Sequence, residues 1–574
     1  MQGPAPPAFA RCVAIPLPPP LPFAPPSPLA KRSQVRDFIK ESLYDPKDGY
    51  FSSRDTVGTL PKRLDYGQLM GQNDYMNEVA ASYAALGTRW LTPAEIFSPH
   101  YGGALARWVA SIWRHRHGVP PVPVPTVGGA GGEAVGGAAA GGAEAAAPRS
   151  EQITAPEDAN ESGSGNAAAS EVVAAPALAP AATAPAAAEA VGAATGGRAA
   201  PPASTSPRLS PLRIYEIGGG TGTLALDVLD WLAENDPEVY AVTKYVSVEI
   251  SATLAGAQRE RLRATPHSGR WDALVGDASS PSTWGARDAS PCVVLACEVL
   301  DNLPHDKAVR ADPRGRDGAT ASDERPLAWR EVRVKGSRSK DGSLRETHAP
   351  LSDELLLRAL RVRDRVSEER DAEGGLLRRL KRSVFERVHS TAWVPTGALR
   401  LFDALHAARP NHLLFAADFD ELPEVVVRGE GAPLVATTRG GQTLDHATYL
   451  VPRGSADIFF PSDFELLARL YRESAERARA RHAARKGRAR APQTAGSTAE
   501  QPGAQHEKSG DFFERWTEPG AGITLGGYRP IVEDYSNTSV LVAGEAKALA
   551  ITTRGPDDHR PPKPSWTNVL RFKE

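Results

Sequence analysis

Short apolar runs alternate with amphipathic stretches along much of this chain, and the alternation predicts its elements. Five runs read as strands buried on both faces: Ile214 to Ile217, Tyr245 to Glu249, Trp271 to Val275, Cys292 to Cys297 and His412 to Ala417. Near-continuous apolarity of this kind is what a parallel strand covered on both sides requires. Leu224 to Leu232 and Ser251 to Arg263 predict the first two crossover helices. Further on, Thr448 to Val451 and Asp457 to Phe460 predict strands, Asp463 to Arg472 a helix capped by Ser462, and Ser539 to Ala543 a closing strand. Strands and helices in alternation imply an α/β fold with a doubly wound, Rossmann-like sheet. Upstream, Ser33 to Leu43 and Ala104 to Trp113 predict two helices that frame a small N-terminal lobe placed to cap a cleft.

Composition interrupts this pattern. From about Val119 to Pro211 the chain is Ala, Gly, Pro and Ser with hardly an aromatic, and it cannot bury enough apolar surface to offset its ordering entropy. Pro313 to Arg325 and Ala475 to Lys508 are shorter interruptions. The second opens on Arg477, Arg479, Arg481 and Arg485, which read as a solvated helix end running into linker rather than a contact for RNA or an acidic partner. The chain therefore divides into a tail (1–32), the helical lobe (33–117), a long disordered insertion (118–210), an α/β core (211–474), a disordered basic insertion (475–508) and a C-terminal completion with tail (509–574).

Charge and cysteine content narrow the function classes. A net charge of -2 over 574 residues gives no global pull toward nucleic acid or a membrane surface. No run of about 18 apolar residues predicts a membrane span. Cys12, Cys292 and Cys297 form neither a metal-binding spacing nor a disulfide framework, so no metal is expected and a reducing compartment is implied. Before Asp37 the only charges are Arg11, Lys31, Arg32 and Arg36, the pattern of an organelle transit segment, although the stretch is proline-rich; mitochondrion and plastid both stay open.

Candidate chemistry concentrates at strand ends. Arg213 to Trp231 runs from a strand through Gly218, Gly220 and Gly222 into a helix, so the backbone passes close to a ligand lying over the helix's first amides. Gly220-x-Gly222-x-x-Ala225 fits the relaxed dinucleotide fingerprint, but it starts three residues past the strand. The register Glu216-x-Gly218-x-Gly220-x-Gly222 fits better and resembles class I S-adenosyl-L-methionine (SAM) methyltransferases. Glu249 ends the second strand, where a carboxylate accepts both ribose hydroxyls of NAD or SAM alike. Asp277, past the third, is placed to accept from an adenine amino group. After the fourth strand, Glu298 and Asp301 face the reacting end, where carboxylates orient a cationic acceptor. Cys297 reads as a small core residue, and His305 as a locally bonded loop histidine.

Five blocks, in order, resemble the MidA-like family of mitochondrial complex I assembly factors, type II protein arginine methyltransferases. They are Val35 to Ser52, Leu91 to Ala106, the Glu216 to Gly222 loop, Glu298 to Pro304 and, more weakly, Gly454 to Phe464; apart from the insertions the resemblance spans about Val35 to Thr538. It implies a class I methyltransferase fold with an N-terminal lobe, SAM as cofactor, and symmetric dimethylation of an arginine on a complex I subunit inside mitochondria. Under it, Glu216, Gly218, Gly220 and Gly222 hold the amino acid end of SAM, Glu249 the ribose and Asp277 the adenine, while Glu298 and Asp301 align the acceptor. Where the family commonly has Asn-Glu-Phe-Phe-Asp, this chain has Cys297-Glu-Val-Leu-Asp, similar to a plant and fungal branch. Rival readings are an RNA or small-molecule methyltransferase of the same fold, a non-catalytic assembly scaffold, and, more distantly, an NAD oxidoreductase.

Overall fold

All five apolar runs are strands in the computed structural model, which describes residues 33–53, 57–86, 90–120, 208–310, 329–336, 344–373, 391–439, 442–485 and 503–556. They are β1 (Leu212–Ile217), β2 (Thr243–Glu249), β3 (Trp271–Val275), β4 (Cys292–Cys297) and β5 (His412–Phe419); β6 (Gly503–Lys508) and β7 (Thr538–Gly544) complete the sheet. The strand order is β6-β7-β5-β4-β1-β2-β3. Neighbours from β3 to β5 pair parallel, whereas β7 runs antiparallel to both β5 and β6. The order reverses between β1 and β4, so their carboxyl ends flank the switch point at which such sheets bind ligands.

Alternate residues of each strand feed two cores. Ile214, Leu295 and Phe415 face the helices His100–Arg116, Thr223–Asn235 and Ser509–Trp516. Tyr215, Val294 and Leu414 face Glu354–Glu373, Thr396–Ala408 and Phe464–Arg485. A third core joins the N-terminal helix Val35–Tyr44 to two antiparallel sheets through Phe38, Val334, Trp393, Tyr449 and Phe460. One of those sheets has five strands, including Asp306–Arg310 and Trp329–Gly336; the other has three, including Leu434–Arg439 and Asp457–Phe459. Arg36 fixes the helix, its guanidinium reaching Asp306 at 2.5 Å and Asp353 at 2.6 Å. The chain on either side of residues 123–206 forms one compact unit, N-terminal helices included.

The structure corrects three local expectations. Thr448 to Val451 is a loop, not a strand: Leu450 N bonds to the Thr448 hydroxyl and Val451 N to the Tyr449 carbonyl, local bonds that replace a ladder while Tyr449 and Val451 stay in the core. The helix expected over Asp463 to Arg472 is Phe464–Arg485, and Asp463, not Ser462, accepts from the backbone of Leu466 at 3.0 Å. The basic segment 475–508 is ordered at both ends, as helix to Arg485 and as strand from Gly503, because Ala475 is buried in the core and β6 pairs with β7. The expected transit segment, the insertion core (121–207) and Pro313 to Arg325 lie outside the described residues. Among the described residues no helix is long and apolar enough to cross a membrane.

Candidate cofactor and acceptor site

At the end of β1 the backbone turns through Gly218 and Gly220 in the left-handed region, at φ 70° and 52°. A Cβ on Gly218 would meet Val299 at 3.0 Å. Both glycines line a cavity of about 160 Å³ over the carboxyl ends of β1, β2 and β4. Gly222 stands back from it; its own left-handed turn starts the helix Thr223–Asn235 and packs toward Gln258 and Leu262. Glu216 lies beneath the loop, 3 % exposed, and its Oε2 has no partner among the described residues. Burial pushes its carboxyl up to about 8, partly offset by the Tyr245 hydroxyl beside it.

Glu249 lines the cavity at the end of β2. Its Oε1 accepts from Ser251 N at 2.9 Å, and Gln258 Nε2 stands 3.5 Å from Oε2 while donating to the Gly220 carbonyl at 2.8 Å. Gln258 thus ties the glycine loop to the β2 carboxylate. Burial raises Glu249 to about 7. Asp277 also lines the cavity, but its carboxylate is engaged: Oδ1 accepts from the Ser279 backbone and hydroxyl at 2.8 and 2.7 Å, and Lys40 reaches Oδ2 at 2.5 Å. Burial works to raise Asp277, yet Lys40 and Ser279 outweigh it and hold it below the usual carboxylate range.

Past β4 the chain makes a turn built by a residue the sequence reading missed. Asp418, at the end of β5, accepts from the backbone N–H groups of Val299, Leu300 and Asp301 at 3.1, 2.7 and 3.1 Å through one oxygen, and from Phe419 N through the other. This cradle holds Glu298 at φ 54°, an uncommon conformation outside glycine. One oxygen each of Glu298, Asp301 and Asp418 lie within 4.8 Å of one another. Burial, and then the charge of Asp418, push Glu298 and Asp301 well above the usual range. Four backbone donors already occupy Asp418, and Asp301 accepts from Asn302 N at 2.7 Å behind the cavity wall. Glu298 lines the cavity, and no described residue donates a hydrogen bond to its carboxylate. His305 stacks on Phe460 with ring centroids 3.8 Å apart and bonds to the Leu303 carbonyl, and burial lowers it to about 4. Cys297 lines the cavity beneath Glu298, with burial raising its thiol.

The N-terminal segment closes the cavity's open side with Lys40, Tyr44, Phe51, Val57 and Thr92. Glu95 anchors it, accepting from Leu60 N at 2.7 Å and from the hydroxyl of Thr223, the first residue of the glycine-loop helix. Lys40, Glu95 and Gln258 act through approaches no local pattern encodes. Asp418 had a readable signal, since it ends an apolar strand run as Glu249 does. The polar set fits SAM: Glu216 Oε2 buried under the loop without a partner among the described residues, the Glu249 carboxylate lining the cavity, and an apolar wall of Ile217, Val248, Ile250 and Leu254.

The strand order and this cavity define a class I SAM-dependent methyltransferase fold. Residues 202–482, just under half of the chain, match the family model described as "Putative S-adenosyl-L-methionine-dependent methyltransferase", and the cofactor is SAM. Over 95 residues it is 37 % identical to the protein arginine methyltransferase NDUFAF7 homolog, mitochondrial, of Schizosaccharomyces pombe, a stretch covering 17 % of this chain and 20 % of that protein. The chain thus spans about a fifth of the curated relative it matches. Among solved structures it resembles a COG1565 superfamily member from Burkholderia thailandensis bound to S-adenosyl-homocysteine, at 15 % identity and TM-score 0.44 over 90 % of this chain and 88 % of that one. A second structure of this superfamily from the same organism aligns at 14 % identity and TM-score 0.43 over 90 % and 88 % of the two chains.

Proposed function

We propose that this protein transfers the methyl group of SAM to an arginine side chain of a protein, ending in symmetric dimethylation, and that the acceptor is a mitochondrial complex I subunit during assembly. One observation carries the reading: Glu298 is a carboxylate without a hydrogen-bond donor, held in an uncommon backbone conformation at the reacting end of the cavity. A half-buried carboxylate that no described residue donates to is under-solvated, and a cation that enters beside it relieves that cost. A guanidinium does so with a planar fork of N–H groups matched to two carboxylate oxygens. The arginine acceptor and the mitochondrial setting are supported by the name of the fission yeast relative, and the complex I role by the family resemblance.

When bound, SAM supplies an electrophilic methyl on its sulfonium. In this reading Glu216 with Gly218 and Gly220 holds the amino acid end, Gly222 setting the turn behind them, with Glu249 at the ribose hydroxyls and Asp277 at the adenine amino group. Glu298 turns the guanidinium so that one nitrogen points along the line of transfer, and Asp301 behind it supports that alignment by bracing the turn through Asn302 N. Most of the acceleration then comes from positioning and exclusion of water, with Glu298 taking the proton that the methylated nitrogen releases.

Mass spectrometry of arginine methylation on complex I subunits, with the chain present, absent or carrying Glu298→Gln, tests this. A dimethylarginine present only with the unaltered chain is expected. Assembly restored in full by Glu298→Gln would favour a scaffold instead, and methylation of mitochondrial RNA without any change in protein arginine would favour the RNA reading.

A further inference from the structure

We propose that the acceptor cation is received in an aromatic slot on the side of Glu298 away from the glycine loop, and that the slot selects an alkylguanidinium. This deepens the arginine reading and rests on it. Glu298 lines two spaces, the cofactor cavity and a second slot walled by Phe97, Tyr101, Phe513 and Tyr535. The slot holds about 10 Å³, room for about one water molecule. Tyr101 and Tyr535 line this slot together with Glu298, and the charge of Glu298 bears on both hydroxyls. Ser509 lines the same slot; it is 4 % exposed and its hydroxyl has no partner among the described residues.

Carboxylate, orphaned hydroxyl and ring faces together describe a complement. A purely structural core would satisfy the serine and keep the charge away from the rings. A planar organic cation answers all three: its charge pairs with Glu298, an N–H reaches Ser509, and its flat face lies against an aromatic ring. An ammonium answers the charge but offers no plane to stack. Phe97 and Tyr535 meet edge to face with centroids 5.1 Å apart, which leaves no gap for a cation between them. One of the two must therefore swing aside on entry. Phe97 is 2 % exposed, whereas Tyr535 is only partly buried in the loop between the short helix Pro530–Glu533 and β7, so Tyr535 is the ring that moves.

The test is calorimetry on the full chain. S-adenosyl-homocysteine is titrated first, and then methylguanidine and methylammonium into the loaded protein, for the wild type, Tyr535→Leu and Ser509→Ala. Methylguanidine is expected to bind the wild type about tenfold more tightly than methylammonium, and each variant to weaken it roughly five- to tenfold. Affinity for S-adenosyl-homocysteine should hold in both variants, which also reports that they fold; should Tyr535→Leu lose it, Ser509→Ala decides. A wild type that fails to bind S-adenosyl-homocysteine strikes at the methyltransferase reading itself. Cofactor binding with methylguanidine bound equally by wild type and variants, bound no better than methylammonium, or not bound at all, overturns the slot alone.

Discussion

Asp277 and Glu298 are both carboxylates at strand ends on one cavity, yet they stand in opposite electrostatic states. Asp277 is saturated: Lys40 and the Ser279 backbone and hydroxyl satisfy it, and it sits below the usual carboxylate range. Glu298 is starved: two further carboxylates lie near, no described residue donates to it, and it is pushed well above the usual range. The first is an anion the fold has neutralised for itself. The second, on the proposed function, is held for a cation that no described residue supplies. On that same reading, the difference separates a carboxylate that shapes a cofactor's resting place from one that waits for a substrate, and both residues were visible in the sequence as the same kind of feature.

The comparison can be broken most strongly at the glycine loop the two carboxylates flank. Gly220→Val puts a β-branched residue at φ 52° facing the cavity, and SAM affinity measured by calorimetry is expected to fall at least about 100-fold. Gly222→Ala is the control, because that glycine stands outside the cavity; its strain should cost about 1–2 kcal/mol of stability and leave SAM affinity nearly unchanged. Asp418→Ala removes the acceptor of four backbone N–H groups and should lower unfolding stability by about 2–4 kcal/mol in a denaturant titration.

Next comes pH. Glu216, Glu249 and Asp418 titrate in the folded protein near about 8, 7 and 7, each pushed up by burial. From about pH 4.5 upward the unfolded chain has lost protons that the folded protein still holds, so stability falls as pH rises until these groups ionise. Asp277 works in the opposite sense, since its depressed value stabilises the fold above the ordinary carboxylate range and is lost in acid. Below about pH 6.5 the buried His305 and His412, lowered to about 4, also oppose the decline, so thermal melts should show stability declining between about pH 6.5 and 8. A melting temperature that rises steadily across that window would count against the buried carboxylates. The smallest effect is expected from Lys40→Ala: its ammonium is 40 % exposed, so losing the pair should cost at most about 1 kcal/mol. Released from Lys40, Asp277 should then bind SAM a few-fold more tightly.

What could be read from the chain depended on where each element's partners lie. The parallel strands were legible because helices cover both their faces, as in Cys292–Cys297, where five of six residues are buried. The antiparallel strands were not. Leu344–Pro350 is an edge strand with no fully buried residue, and Trp329–Gly336 mixes Arg and Lys with Val, so neither shows the periodicity of its environment. Thr448 to Val451 misled for the converse reason: Tyr449 and Val451 are buried as single anchors on a loop, and burial alone imitates a strand. At the site, Glu216, Glu249, Asp277 and Glu298 could be named because the switch point of such a sheet fixes where strand ends converge. Lys40, Glu95 and Gln258 could not, since they reach the site from elements whose docking is decided by packing. Asp277 shows the limit, for its position was readable and its ion pair with Lys40 was not.

On the proposed function, Glu298 serves the acceptor and not the cofactor. The most direct test measures SAM affinity and methyl transfer to an arginine-containing peptide side by side, in the wild type and Glu298→Gln. The expected result is a dissociation constant for SAM equal within about twofold and a transfer rate about 100- to 1000-fold lower. Transfer at the wild-type rate, or a loss of SAM binding that matches the loss of transfer, would contradict it.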